Sequence, residues 1–226
     1  MQAVVMAAGE GRRLRPLTER YAKPVLPIDG RPVIVTLLRE LAAAGLTPVT
    51  VVTGHLAEQV EALLAGFDAE LRFVRQPEAL GSADAVVRAS LEPPYVVAGA
   101  DSAFTLGDIG RFVTASAGYD GAIAVRRDPP PNPPRRSAVR IDDGLVRRVL
   151  DDDSTNPLAG APLWFVGEAI GAHLSSLPGP PYELAQAFQR AIGAGARVAG
   201  IEIGRTRDLT FPLDLVVKNF PYTRSL

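Results

Sequence analysis

The six residues PVTVVT, Pro48 to Thr53, most restrict the folds open to this chain. After Pro48 every residue is β-branched, and apolar and polar positions do not alternate as they would in a strand with one wet face. Such a run reads as a strand covered on both faces, the habit of parallel sheets flanked by helices. Its surroundings agree. Ala3 to Met6 reads as a strand, and Val33 to Ala44 carries Val33, Leu37, Leu38 and Leu41 at helical spacing before stopping at Gly45. The alternation continues with a helix over His55 to Leu64, a strand over Leu71 to Val74, a helix over Ser82 to Ser90 and a strand over Tyr95 to Ala98 that runs into AGAD. With right-handed crossovers this order predicts an α/β fold: a three-layer, Rossmann-like, mostly parallel sheet flanked by helices.

After about residue 120 the texture changes. GAIAVRR and SAVRI read as strands, separated by DPPPNPP, whose prolines predict an extended, exposed connector. PLWFV reads as a strand, Tyr182 to Ala194 as a helix, Arg197 to Glu202 as a strand and Pro212 to Asn219 as a short helix. No repeat, coiled coil or low-complexity tail interrupts them. We read residues 1–226 as one domain with two halves, about 1–118 and about 119–226. A chain of 226 residues is long enough to bury about 70 % of the surface its unfolded form exposes.

Composition narrows the functional classes. A formal charge of −1 and a pI of about 6.2 give no overall field to attract nucleic acid or an anionic membrane, so neither is expected as a partner. No cysteine is present, which excludes disulfides, zinc–thiolate sites and thiol nucleophiles. Without a secretory leader pattern or an apolar run of about 20 residues, the expectation is a soluble cytoplasmic protein.

Against this neutral background the segment AAGEGRRLRPLTERYAKP, Ala7 to Pro24, is unusual: it gathers four arginines and a lysine in the turn that follows the first strand. Open α/β sheets bind ligands at this edge, and Gly9 and Gly11 let backbone N–H groups approach phosphate closely. Leu14 stands where a dinucleotide fingerprint needs its third glycine, and no GK[ST] follows, so neither redox-cofactor nor P-loop chemistry is indicated. A solvated basic loop remains the bland alternative. Elsewhere, QPEALGSADA (76–85) offers an amide and a Gly-Ser pair at a helix start, suited to a base edge or simply to a cap. VAGAD ends a strand in Asp101, and RDLTFPLD supplies Asp208. Carboxylates arriving from two strand ends suit Mg²⁺, which takes one or two of them together with substrate oxygens and water.

AAGEGRRLRPLTERYAKPVLPIDGRPVI resembles the signature (A/G)GxGxRLxPLTxxxxKPxLPxxGxPxI of the sugar-phosphate nucleotidyltransferases, the nucleotide-sugar pyrophosphorylases. The resemblance implies a nucleotide-binding α/β domain with a sugar-binding extension. It also implies an Mg²⁺-dependent reaction of NTP with sugar 1-phosphate, giving NDP-sugar and pyrophosphate. Carried onto this sequence, it has Ala8, Gly9 and Gly11 lining the nucleotide, with Gln76, Gly81 and Ser82 at the base. Arg13 grips the leaving pyrophosphate, Lys23 meets the phosphate under attack, and Asp101 and Asp208 hold Mg²⁺.

One departure falls at the second metal position, where Thr206, Arg207 and Asp208 stand in place of the Trp-x-Asp of many members, and two fall on the sugar side. VRRVLDDD places Asp151, Asp152 and Asp153 where Glu-Lys-Pro is usual, so the lysine for the sugar's phosphate is missing. Pro162 replaces a glycine before the aromatic strand residue Trp164. We therefore expect Arg147 or Arg148 to supply the cation, one of the two facing the site by strand alternation, with Asp151 and Trp164 nearby; for Trp164, plain core packing is the competing reading. The two histidines, His55 and His173, are expected to be structural. Two function classes remain: an active nucleotidyltransferase, on a sugar phosphate or a non-sugar phosphate, and a non-catalytic nucleotide-sugar-binding regulator. A homo-oligomer stays open.

Overall fold

The computed structural model describes residues 1–127, 138–153 and 155–220; the proline-rich connector DPPPNPP lies outside them. Nine strands form one sheet: β1 (Gln2–Ala7), β2 (Val49–Thr53), β3 (Leu71–Arg75), β4 (Tyr95–Gly99), β5 (Gly121–Arg127), β6 (Ala138–Asp142), β7 (Leu145–Asp151), β8 (Leu158–Val166) and β9 (Val198–Glu202). Their spatial order is β3-β2-β1-β4-β8-β5-β9-β7-β6. The first four are mutually parallel. Strand β8 then enters antiparallel to both β4 and β5, β5 and β9 are parallel, and the β6–β7 hairpin closes the far edge.

Among the described residues seven helices form, the first six flanking the sheet and the last lying against Pro27–Ile28: α1 (Val33–Ala43), α2 (Ala57–Leu64), α3 (Ser82–Ala89), α4 (Asp108–Ala115), α5 (Glu168–Leu174), α6 (Leu184–Gly193) and α7 (Pro212–Asn219). Strand β1 shows how the layers share the sheet. Ala3, Val5 and Ala7 join the core beneath α1 and α4, whereas Val4 and Ala8 join a second core with α3, α5 and α6. All five residues of β2 are buried, as the unbroken β-branched run requires. No described helix is long and apolar enough to cross a membrane.

Two local pairings position the clefts at the sheet's edge. Ser102–Ala103 and Arg207–Asp208 form a two-stranded antiparallel ladder that sets Asp208 opposite Ser102. The pairing of β8 with β5 shifts register between Gly160 and Trp164, where Pro162 lacks the N–H a regular ladder needs.

Candidate active site

The arginine-rich loop is built from short 3₁₀ turns at Arg12–Leu14, Leu17–Glu19 and Lys23–Val25. It folds back on Gly11, which has φ +63°; a Cβ there would stand 2.9 Å from Thr18 Cγ2 and 3.3 Å from Lys23 Cβ. Only glycine admits that approach, and through it Lys23 comes to lie beside Gly11. Thr18 donates its hydroxyl to Gly11 O at 3.0 Å, and His55 Nε2 meets Thr18 O at 2.6 Å, so His55 braces the loop. The arginines divide. Arg12 and Arg15 bind Glu10, whose carboxyl is held below its ordinary range chiefly by the hydrogen bond from Arg12. Arg13 lies over the Phe211 ring, 5.9 Å from its centroid, at a cation–π separation.

Two adjoining clefts open at this loop. The first, about 470 Å³, is lined by Ala8, Gly9, Gly11, Arg13 and Lys23 on one side and by Gln76, Gly81, Ser82 and Glu183 on the other. The second, about 350 Å³, runs toward β6 and β7 and includes Arg126, Trp164 and Asp208. Arg13, Asp101, Pro162 and Thr210 line both. The two clefts therefore adjoin along these four residues.

The base-side residues are more committed than their sequence context suggests. Gln76 is buried, and its amide nitrogen donates to Gly81 O at 3.1 Å and Asp84 Oδ2 at 2.7 Å, which leaves its carbonyl oxygen to accept from a ligand. Burial raises the Asp84 carboxyl, but hydrogen bonds from Arg88 and Gln76 outweigh it and hold the group below its usual range. Ser82 donates to Glu183 Oε2 at 2.6 Å and accepts from Leu184 N at 2.8 Å, tying α3 to the N-terminus of α6. Gly81 has φ +114°, and a Cβ there would fall 2.3 Å from Tyr182 O.

The two aspartates arrive on neighbouring backbone: Leu209 N donates to Asp101 O at 3.1 Å, across the small ladder. Each already holds a basic partner. Lys23 is hydrogen-bonded to Asp101, and Arg126 pairs with Asp208 at 2.7 Å while also bonding Thr206. Asp208 Oδ1 is buried without a hydrogen-bond partner, and a buried carboxylate oxygen in that state calls for a ligand. Among the described residues no group of three or more His, Asp or Glu side chains is placed to hold a metal ion by itself. The pair thus fits a cation such as Mg²⁺ only if phosphate oxygens and water complete its shell.

The expected acceptor-side arginines are not brought here. Arg147 and Arg148 are each about half exposed, pair at 3.7 Å and 3.3 Å with Asp142 and Asp152, and line neither cleft. Strand alternation fails because the β6–β7 ladder shifts register on both sides of Arg148, so consecutive side chains both face solvent. Asp151 is likewise outside: fully buried, it accepts from Arg140 at 2.8 Å and Asn156 at 2.8 Å. Trp164 lines the second cleft and also packs on the core, so both readings of it meet. Besides Arg13, the cation that lines the second cleft is Arg126, near the end of β5. Sequence reasoning passed over it, and its signal was the Arg-Arg pair closing an apolar strand.

A family model described as "Nucleotidyl transferase" matches residues 2–132. The chain is 32 % identical over 163 residues to a glucose-1-phosphate thymidylyltransferase of Streptomyces antibioticus, covering 68 % of this chain and 42 % of that protein. It is 31 % identical over 184 residues to a CMP-5′-(3-aminopropyl)phosphonate synthase of Streptomyces rubellomurinus, covering 75 % of this chain and 29 % of that one. The chain thus spans well under half the length of these relatives. Among solved structures, a UDP-glucose pyrophosphorylase from Acinetobacter baumanii superimposes with a TM-score of 0.82 at 19 % identity, covering 98 % of this chain and 92 % of the other. That likeness bears on the fold.

Proposed function

The chain belongs to the nucleotidyl transferase family, and from that premise we propose that it transfers a nucleoside monophosphate from an NTP to a small phosphate-bearing acceptor, releasing pyrophosphate. The observation that carries this is the meeting of the two clefts at Arg13, Asp101, Pro162 and Thr210. A nucleotide in the first cleft would present its α-phosphorus where an acceptor in the second can reach it.

An oxygen of the acceptor's phosphate attacks the α-phosphorus, forming a new P–O–P bond, and the bond from that phosphorus to the β-phosphate oxygen breaks as pyrophosphate leaves. The nucleophile is already an oxyanion, so the step needs alignment and charge neutralisation, not a general base. Ala8, Gly9 and Gly11 form the near wall for the nucleotide, and the carbonyl oxygen of Gln76 is available to a base N–H. Lys23 is the cation for the α-phosphate, and Arg13 serves the departing pyrophosphate. Asp101 and Asp208 would hold Mg²⁺, which when bound neutralises phosphate charge. Donors matched to charge that develops during the reaction accelerate it more than donors matched to the ground state.

The signature implies a sugar 1-phosphate acceptor, while a phosphonate is named for one relative of similar identity. The experiment is pyrophosphate release from each common NTP against a panel of sugar 1-phosphates and non-sugar phosphates, with and without Mg²⁺. We expect release that depends on both acceptor and Mg²⁺. Tight nucleotide or nucleotide-sugar binding with no release under any combination would instead favour the non-catalytic regulator.

A further inference from the structure

The second cleft has two chemically different ends. Its junction with the nucleotide cleft is ionic: Arg13, Asp101, Arg126 and Asp208 lie there, Ser102 Oγ bonds Asp101 at 3.4 Å, and Thr210 is shared with the nucleotide side. Away from the junction the walls are Ile123, Val139, Val149, Leu150, Trp164 and Ala185, drawn from β5, β6, β7, β8 and α6. Among the described residues that line it, no Asn, Gln, His, Tyr or Glu side chain appears.

A hexose phosphate carries several hydroxyls whose hydrogen bonds to water are lost on burial. An apolar wall disfavours an added hydroxyl by roughly 10- to 100-fold when nothing replaces those bonds. A compact hydrocarbon body meets no such penalty and gains from leaving water. We propose that the acceptor is a phosphorus oxyanion, phosphate or phosphonate, on a compact, largely apolar body, and not a hexose 1-phosphate, with Arg126 as the residue that takes the oxyanion. The proposal rests on the nucleotidyl-transfer reading and names the substrate class of its second cleft. Arg126 stands in for the lysine missing from VRRVLDDD. Its planar guanidinium fork, now on Asp208 and Thr206, matches phosphoryl oxygens two at a time.

Isothermal titration of the full chain with Mg²⁺ gives the affinity of n-butyl phosphate, inorganic phosphate and glucose 1-phosphate. The emission of Trp164, the chain's one tryptophan, reports whether each ligand enters this cleft. We expect n-butyl phosphate to bind at least tenfold more tightly than glucose 1-phosphate and to perturb Trp164, with Arg126→Ala costing tenfold or more and Arg126→Lys recovering part of it. Should Arg126→Ala fail to fold, Leu150→Gln, at a half-exposed position, supplies an amide to the wall and is expected to narrow the preference several-fold. Equal or tighter binding of glucose 1-phosphate overturns the proposal, as does an unchanged affinity in folded Arg126→Ala. Pyrophosphate release is scored in parallel with each NTP. Release with glucose 1-phosphate as the better ligand sinks this acceptor class and leaves nucleotidyl transfer standing. Binding of n-butyl phosphate at Trp164 with no release from any NTP and any acceptor sinks nucleotidyl transfer itself.

Discussion

Gly81 and Gly9 were both expected to line the nucleotide, and alanine at the two positions should produce opposite signatures. At Gly81 the backbone has φ +114°, and the new Cβ would sit 2.3, 2.6 and 2.8 Å from O, N and C of Tyr182. These are backbone atoms, held because Tyr182 N donates to Leu80 O at 2.7 Å and Ala83 N donates to Tyr182 O at 2.8 Å. A non-glycine residue in such a conformation costs roughly 1–3 kcal/mol, and overpacking against a wall that cannot yield adds roughly 1–3 kcal/mol. We expect Gly81→Ala to lose about 3 kcal/mol, which for a chain of this size lowers Tm by about 6–12 °C. The adjacent Glu183, which lines the cleft and holds Ser82, would shift with it. At Gly9 nothing lies within 4 Å of a built Cβ and φ is not in the left-handed region, so stability should stay within about 0.5 kcal/mol of the parent. The methyl group instead narrows the nucleotide cleft, and KM for NTP should rise about tenfold. Urea unfolding and initial-rate kinetics on both variants decide the matter. If Gly81→Ala is as stable as the parent, or Gly9→Ala loses as much as Gly81→Ala, the reasoning from these contacts is wrong.

Replacing Asp101 or Asp208 by Asn should abolish Mg²⁺-dependent pyrophosphate release while circular dichroism shows the fold intact; full activity in both variants would remove them from the cation site. Arg13→Ala should lower kcat far more than it raises NTP KM, the pattern of a group acting on charge formed in the transition state, and a change confined to KM would assign it to binding alone. Arg147→Ala and Arg148→Ala should each leave acceptor KM within about twofold and stability within about 1 kcal/mol, as exposed ion pairs allow. Asp151 is a pH-dependent support: burial raises its pKa, but hydrogen bonds from Asn156 and Arg140 outweigh this and hold it below its ordinary value. A depressed carboxylate contributes stability that is present above its unfolded value and lost as pH falls through the folded one. Asp151→Asn should therefore be less stable at neutral pH and lose less of its stability on acidification below about pH 4, measured by urea midpoints across that range.

The sequence was most informative where a residue's role depends on its near neighbours. PVTVVT is covered on both faces because its pattern admits no wet side, and α7 spans Pro212–Asn219 because Pro212 opens it. What stayed hidden depends on partners far along the chain. Ser82, which lines the first cleft, has its hydroxyl bound to Glu183, a partner 101 residues away. The antiparallel entry of β8 between β4 and β5 brings Pro162 to the junction of the clefts, and no local pattern encodes that neighbour order. Helices α4 (Asp108–Ala115) and α5 (Glu168–Leu174) were likewise not anticipated. Arg147 and Arg148 were misjudged because period-2 alternation presumes a regular ladder, and theirs is bulged.

The charge arrangement explains how a nearly neutral protein can keep a site for a highly anionic ligand. A partly buried carboxylate without a partner is costly, and so is a partly buried ammonium or guanidinium. Here each is balanced within the protein: Lys23, from the loop after β1, holds Asp101, and Arg126, from the end of β5, holds Asp208. Triphosphate and acceptor phosphate offer these cations the oxyanions they now find in the aspartates, while a divalent cation offers the aspartates what they now find in Lys23 and Arg126. Either ligand arriving alone would take one member of each pair and strand the other. In the proposed reaction, arriving together they would satisfy all four, so phosphate binding would be coupled to the metal and would need no basic surface to support it.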